Sequence, residues 1–338
     1  MKRISILLIV LLYVQLKAIA LPQPVDLKKP PPKVIRTCCA FGVDVKVVML
    51  PFIRISSISA PNLIGGHQFL GNKLENNGII YTHKGGFIDL GHLRDIADMT
   101  AYLFTLIQAN RETGLKDFKI GREAGLKTLS VKVPEHFSDT DIALLSGRIA
   151  YDLSTWHEIS TWYGASSLPF VPERYSSFSV EDAYSNLLGV HLAIQSILSD
   201  KPYETEMTLN IHRALLHLGA LPTLEDTRNA MLQVKDIWWS GQAKFPNKNL
   251  LKKRQYDILE QVSPLVLNQD EFSEHSEYML SVPAVSTLQE PLKVLYSLKI
   301  KYNLKIPAKK IFGNDYPYDY VSPDNYPALV AYARTGKY

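Results

Sequence analysis

Cysteine is scarce in this 338-residue chain: there are two, Cys38 and Cys39, and they are adjacent. Neighbouring cysteines bond to each other only through a strained ring, which excludes a disulfide framework; with no second pair at ligand spacing, a zinc finger is excluded too. Buried thiols, a vicinal disulfide and soft metal ligation remain as readings of the pair. Long apolar runs are also missing beyond the N-terminus. There Lys2-Arg3 precede an apolar stretch from Ile4 to Leu16, closed by Ala18-Ile19-Ala20, the small-x-small pattern of a signal-peptidase site. The stretch is too short for a membrane span and no later one is long enough. The sequence therefore predicts a periplasmic or secreted protein, cleaved near Ala20, with no transmembrane segment in the mature chain.

Charge of one sign is lacking as well. Cleavage takes away Lys2, Arg3 and Lys17 and no acid, so the formal charge of +4 falls to about +1. That excludes nucleic acid as a partner on electrostatic grounds, and Lys244, Lys248, Lys252, Lys253 and Arg254 read as a solvated loop. Walker and dinucleotide glycine spacings are absent; Gly65-Gly66-His67-Gln68-Phe69-Leu70-Gly71 fits neither. No Gly-x-Ser-x-Gly elbow occurs, so Ser154, Ser160 and Ser185 have no nucleophile context, and a mid-helix serine has no ready oxyanion hole.

What is present divides into a signal peptide (1–20), a Pro-rich tether (21–34) and a single domain (35–338) without internal repeats. Helix starts are marked by Ser/Thr-x-x-Asp at Ser138 with Asp141, Ser179 with Asp182, and Thr223 with Asp226. Another helix is expected from Asp89, as its N-cap, with Leu93, Ile96, Thr100, Leu103 and Ile107 on one face, and Arg94 pairs with Asp98 at i+4. Leu209 to Leu218 reads as a helix stopped by Gly219. Strands are expected over Val43 to Ile55, Lys127 to Val133 and Lys293 to Ile306, and a Tyr-rich surface loop over Asp315 to Pro327. The fold class is α+β: one compact domain, a helical central block flanked by N- and C-terminal β-strands that pair with each other across it.

The chemistry concentrates in Trp156-His157-Glu158 and in Gly91-His92-Leu93-Arg94-Asp95. On a helix from Ser138, residues Ala143, Gly147, Ala150, Ser154, His157 and Thr161 form a small, polar stripe that a second helix can approach, which places His157 inside the protein. Glu158 follows His157 in the order of zinc hydrolases, where His binds the metal and Glu takes a proton from water. Thr161 stands where His-Glu-x-x-His needs its second ligand, so the remaining ligands must come from elsewhere. His92 is the first candidate, with Asp95 orienting it, and Glu181 the next; Asp182 is set aside as a capping residue. The expected metal is zinc, held by His92, His157 and Glu181 with Glu158 as catalytic base; were carboxylates to outnumber histidines there, a harder cation would suit the site. Against this stands the plain alternative that a lone helical His is a hydrogen-bonded core residue and that Trp156, Trp162 and Tyr163 only pack.

The ordered set Cys38-Cys39-Ala40-Phe41-Gly42, Gly85 to Asp98, His157 to Gly164 and Glu181 to Gly189 resembles an uncharacterised family of exported bacterial proteins, the domain of unknown function 4056. The resemblance implies an envelope or secreted setting and transfers no catalytic assignment. Two functions fit: a periplasmic metal-dependent hydrolase acting on an ester or amide of cell-envelope material, and a non-enzymatic envelope protein that binds a lipid, glycan or protein partner.

Overall fold

The structure, a computed structural model, describes residues 24–33, 36, 41–47, 50–55, 57–166, 173–242, 250–267, 276–314, 316 and 320–336. The expected signal segment, Cys38 and Cys39, Lys244 and Lys248 of the basic patch, and residues 315 and 317–319 of the Tyr-rich stretch lie outside the described residues.

Strands β1 (Val45–Val47) and β2 (Leu50–Ile55) pair antiparallel, as do β3 (Ile79–Thr82) and β4 (Gly86–Asp89), which runs directly into helix α1 (Leu90–Ala109). A hairpin of β5 (Leu115–Gly121) and β6 (Gly125–Val131) leads to α2 (Asp139–Trp162), α3 (Asp182–Ile197), α4 (Tyr203–His217) and α5 (Leu224–Gln233). Short strands β7 (Gln261–Val262) and β8 (Leu280–Ser281) pair; β9 (Tyr296–Tyr302) completes a sheet of order β5-β6-β9, and α6 (Ala308–Phe312) and α7 (Tyr326–Arg334) follow. The architecture is α+β, helices with small antiparallel sheets. Among the described residues no helix is long and apolar enough to cross a membrane.

The expected pairing across the helices is made by one strand and not the other: among the described residues β9 pairs with β6, the strand expected at Lys127 to Val133, with α2 to α5 between them in the chain, while β1 pairs with β2. The register explains the choice. Leu129 lies opposite Leu298 and Lys127 opposite Ile300, so the buried positions of two alternating strands fall on one face. The Tyr-rich stretch also does more than cover the surface. Tyr326 opens α7, is buried, and stacks on Trp156 with ring centroids 6.2 Å apart. Val25, within the Pro-rich stretch expected as a tether, is buried in the main core.

Three helices position the site. On α1, Leu93, Ile96, Thr100, Leu103 and Ile107 are all buried, as the 3.6-residue period requires. Helix α3 packs against both α1 and α2, and two glycines set how closely. A β-carbon at Gly189 would sit 2.2 Å from the Leu93 carbonyl oxygen, and one at Gly147 would sit 2.7 Å from Val190 Cγ1. Only hydrogen fits at either point. Gly147 belongs to the small stripe of α2, so the stripe does admit a neighbouring helix. The helix starts are held as expected at two of the three Ser/Thr-x-x-Asp sites: Ser138 and Asp141 form a capping box, and Thr223 Oγ1 accepts from the Asp226 amide.

Midway along α1 lies a buried ionic cluster. Arg36 places Nε 2.6 Å from Glu75 Oε2, and Nη1 2.9 Å from Asp95 Oδ1 and 2.8 Å from Asp98 Oδ2. His67 Nε2 is 3.0 Å from Asp98 Oδ1, while Arg94 donates to the Gly65 carbonyl at 2.7 Å and lies 3.5 Å from Glu75. Arg94 and Asp98 thus turn to partners in other segments instead of forming the helix pair expected at i+4. Asp95, expected to orient His92, is engaged by Arg36. The cause is burial: a guanidinium out of water needs several carboxylate and carbonyl acceptors at once, and one helix neighbour is not enough.

Candidate metal centre

His92 stands in the first turn of α1, His157 and Glu158 near the C-terminal end of α2, and Glu181 and Asp182 at the start of α3. Asp89, the N-cap of α1, joins them; its Oδ1 accepts from the Gly91 and His92 amides at 2.7 and 3.2 Å, and its Oδ2 is turned toward the imidazole. All six side chains are buried. The rings of His92 and His157 have centroids 6.2 Å apart and are inclined by 54°. Two imidazoles on one tetrahedral ion, with Zn–N bonds of about 2.1 Å, put their centroids roughly 5–6 Å apart, so the observed separation needs only a small adjustment.

Two sets of side chains offer ligand atoms that lie within 4.8 Å of one another: His92, His157 and Glu158, and Asp89, His92 and Asp182. The sequence-predicted His92 and His157 are therefore brought together. Glu158, expected as a base beside the ion, is itself at ligand distance. Glu181 is in neither set: its Oε2 accepts from Ser179 Oγ, and its Oε1 is buried with no hydrogen-bond partner among the described residues. Asp182, set aside as a cap, reaches the imidazole instead, with Oδ1 3.2 Å from His92 Nδ1. The Ser179-x-x-Asp182 box does not form, and α3 starts without a side-chain cap.

Each imidazole turns Nδ1 to a carboxylate. His157 Nδ1 is 2.5 Å from Glu123 Oε1, while His92 Nδ1 is 3.3 Å from Asp89 Oδ2 and 3.2 Å from Asp182 Oδ1. For His157 this is the arrangement by which an outer carboxylate fixes the tautomer of a metal-binding histidine and turns Nε2 to the ligand, whereas the His92 contacts are close without hydrogen-bond geometry. Glu123 is in the turn of the β5–β6 hairpin, its side chain 32% exposed, and Lys127 Nζ holds its other oxygen at 3.0 Å. On Glu158, Oε2 accepts from the Phe178 amide at 2.7 Å, which fixes the carboxylate's direction.

The electrostatics follow from burial. Burial opposes a charge on His157, but the Glu123 carboxylate outweighs it and raises the imidazole above its usual value. Burial likewise pushes up Asp182, with Glu181, Glu158 and Asp89 adding to the effect against the pull of His92, and it pushes Glu181 up to about 8. Asp89 moves the other way: burial is overcome by His92 and by the two helix amides, which hold the carboxyl low. His92 is the positive partner of Asp89 and Asp182, and the Arg254 guanidinium acts on Glu158. A buried set of carboxylates and imidazoles has the donor chemistry of a divalent-metal site.

Sequence reasoning missed Glu123 and Asp182. Glu123 is 34 residues from His157 and carries no local motif. For Asp182 the signal was present and assigned to capping.

With the geometry established, the family follows. The chain matches, over residues 27–268, the family described as protein of unknown function (DUF4056), and belongs to it. The matched region contains every residue of the centre. No curated protein and no solved structure matches the chain.

Proposed function

We propose that this protein is a metal-dependent hydrolase of the periplasm or of the secreted fraction, with zinc held by His92, His157 and Glu158. The observation that carries the reading is the convergence of these three buried side chains within 4.8 Å, each imidazole with its Nδ1 turned to a carboxylate. Three protein ligands with a fourth position left for water or substrate is the pattern of catalytic zinc, as opposed to the closed, four-ligand structural kind. Zinc, when bound, supplies Lewis acidity that activates water at neutral pH and polarises a carbonyl. The chain's own residues do the rest. Glu123 and Lys127 keep His157 in one tautomer, the Phe178 amide aims Glu158, and Asp89 with Asp182 flank His92. An ester or amide of cell-envelope material is the proposed substrate class, supported by the signal-peptide pattern at Lys2 to Ala20.

The test is metal analysis of untagged protein beside His157→Ala and Glu158→Gln. Wild type is expected to retain one zinc, His157→Ala none, and Glu158→Gln to bind it more weakly. Zinc retained at full affinity by Glu158→Gln, with turnover lost, would return Glu158 to the role of base. A wild-type protein that holds no zinc after reconstitution overturns the hydrolase and favours an envelope protein that binds a lipid, glycan or protein partner.

A further inference from the structure

We infer that the outer face of the β5-β6-β9 sheet is an electrostatic docking surface for an anionic phospholipid membrane. Between positions 293 and 310 the chain carries six lysines, Lys293, Lys299, Lys301, Lys305, Lys309 and Lys310, and no carboxylate, while the rest of the chain past Ala20 nets about −5. A face that is only solvated intersperses both signs. Here the positive charge is gathered into one stretch, which runs through β9 into α6.

The register sets three lysines on one face. Thr128 lies between Lys119 on β5 and Lys299 on β9, and Leu126 lies opposite Lys301. Leu129, Leu298 and Ile300 are buried on the inner side, so the alternate positions Thr128, Lys299 and Lys301 point outward, and all three lysines are exposed. Lys299 and Lys301 have Cα atoms about 7 Å apart along one strand, and Lys119 is about 10 Å from Lys299 across the sheet. Their mutual repulsion is relieved by a partner of negative charge. Asp117, the acid beside them on β5, is turned to Ser130: its amide donates to Ser130 Oγ at 2.9 Å, and that hydroxyl lies 3.5 Å from its Oδ1.

Beside Lys299 a groove of about 190 Å³ opens between β9 and the segment 320–324, which the backbone bonds between Ile300 and Val321 tie to the strand. Lys293 and Lys299 line it with Ser297, Tyr320 and Ser322, and Asp324 is the single acid on its wall. Lys299 Nζ lies over the Tyr320 ring, 5.5 Å from the centroid, and Lys293 Nζ is 2.6 Å from Glu260 Oε1 in a surface pair. Two ammonium groups and two hydroxyls around such a space have the donor chemistry for a phosphate headgroup. Apolar surface stands with them: Val294, just ahead of β9, is 78% exposed and Tyr320 is 38% exposed. That combination favours a membrane over a nucleic acid, because a bilayer takes up apolar and tyrosine side chains at its headgroup boundary and a phosphodiester backbone does not.

The inference does not use the zinc reading and stands or falls apart from it. The full mature chain is mixed with vesicles of phosphatidylcholine alone, or of phosphatidylcholine with an equal amount of phosphatidylglycerol, and the bound fraction is read by flotation. Binding is expected to the anionic vesicles only, and it should weaken as salt is raised. One lysine near an anionic surface contributes about fivefold, so Lys299→Gln with Lys301→Gln should weaken binding roughly 30-fold. Lys73→Gln with Lys235→Gln, the same change of charge at exposed positions elsewhere, should bind as wild type does. Thermal melts verify that both double variants fold. No preference for the anionic vesicles, or an equal loss in the two double variants, would overturn the inference. A DNA duplex that displaces the protein from the vesicles at equal phosphate would overturn it as well and give the face to nucleic acid.

Discussion

Helix α1 carries two buried polar clusters, and they treat their carboxylates in opposite ways. At its first turn Asp89, Glu158, Glu181 and Asp182 lie around two imidazoles, and His92 is the near positive partner of Asp89 and Asp182. Farther along the helix Glu75, Asp95 and Asp98 are matched by Arg36 and Arg94, with His67 against Asp98. Both clusters are buried. What differs is the positive partner: guanidinia of Arg36 and Arg94 in the second, titratable imidazoles of His92 and His157 in the first. The comparison separates a polar core that ties segments together from one that, under the zinc reading proposed above, would hold an ion.

The largest effect expected is in the guanidinium cluster. Arg36→Met strands three buried carboxylates and should lower unfolding stability by about 3–5 kcal/mol, read from the midpoint of a denaturant titration. A loss under about 1 kcal/mol would mean that the arginine is not the counter-charge we take it to be. Next, zinc at a hundredfold excess over its dissociation constant should stabilise wild type by about 2.7 kcal/mol and leave His157→Ala unmoved, a difference visible in thermal melts. An equal gain in both proteins would place the ion elsewhere. Glu123→Gln, which keeps shape and removes the charge behind His157, should weaken zinc binding by roughly 10–100-fold with little change in fold. Competition against a chelator of known affinity measures this.

The smallest effect is a slope. Glu181 is pushed up to about 8 by burial, so the folded state keeps a proton that the unfolded chain has already lost. Its contribution is full below the unfolded value and disappears as pH rises through about 8. Metal-free protein should therefore lose up to about 1.4 kcal/mol per pH unit across that window for this one proton. Asp95, pushed up to about 7 by burial against the pull of Arg36, adds to the decline below that pH. The diagnostic quantity is thus the difference between wild type and Glu181→Gln. Glu75 gives the contrasting sign: burial is outweighed by Arg36, the carboxyl is held at about 2, and its contribution persists until the pH falls that far. If Glu181→Gln follows the wild-type curve at every pH, the two clusters do not differ as described.

The parts of this picture that were legible in the sequence are those set by near neighbours. Ser138 with Asp141, Thr223 with Asp226, and Asp89 ahead of α1 all cap as their spacing requires, because a hydroxyl or carboxylate within three residues of free amides has little else to do. The small stripe of α2 implied a closely packed neighbour, which is α3 at Gly147; His92 comes to His157 from α1. What escaped was decided across the chain. Ser179-x-x-Asp182 has the form of a capping box, yet at a buried position the pull of an imidazole from another helix outcompetes two amides, and Ser179 turns to Glu181 instead. Asp95 looked like a partner for His92 until Arg36, 59 residues away, claimed it. Strand β9 pairs with β6 for the same kind of reason, a matching face that alternation alone cannot assign to one partner.

The hairpin turn that carries Glu123 has a kinetic consequence. One carboxylate, a third exposed and held by an imidazole and a lysine, forms the outer wall of the centre at His157. Side chains near solvent change rotamer in picoseconds to nanoseconds, far faster than packed helices shift. Helices α1 and α3, in backbone contact at Gly189 and Leu93, are not free to part. Under the zinc reading proposed above, exchange of the ion past this wall would be timed by the breaking of two charged contacts, so that raising the salt concentration should speed release and leave the architecture untouched.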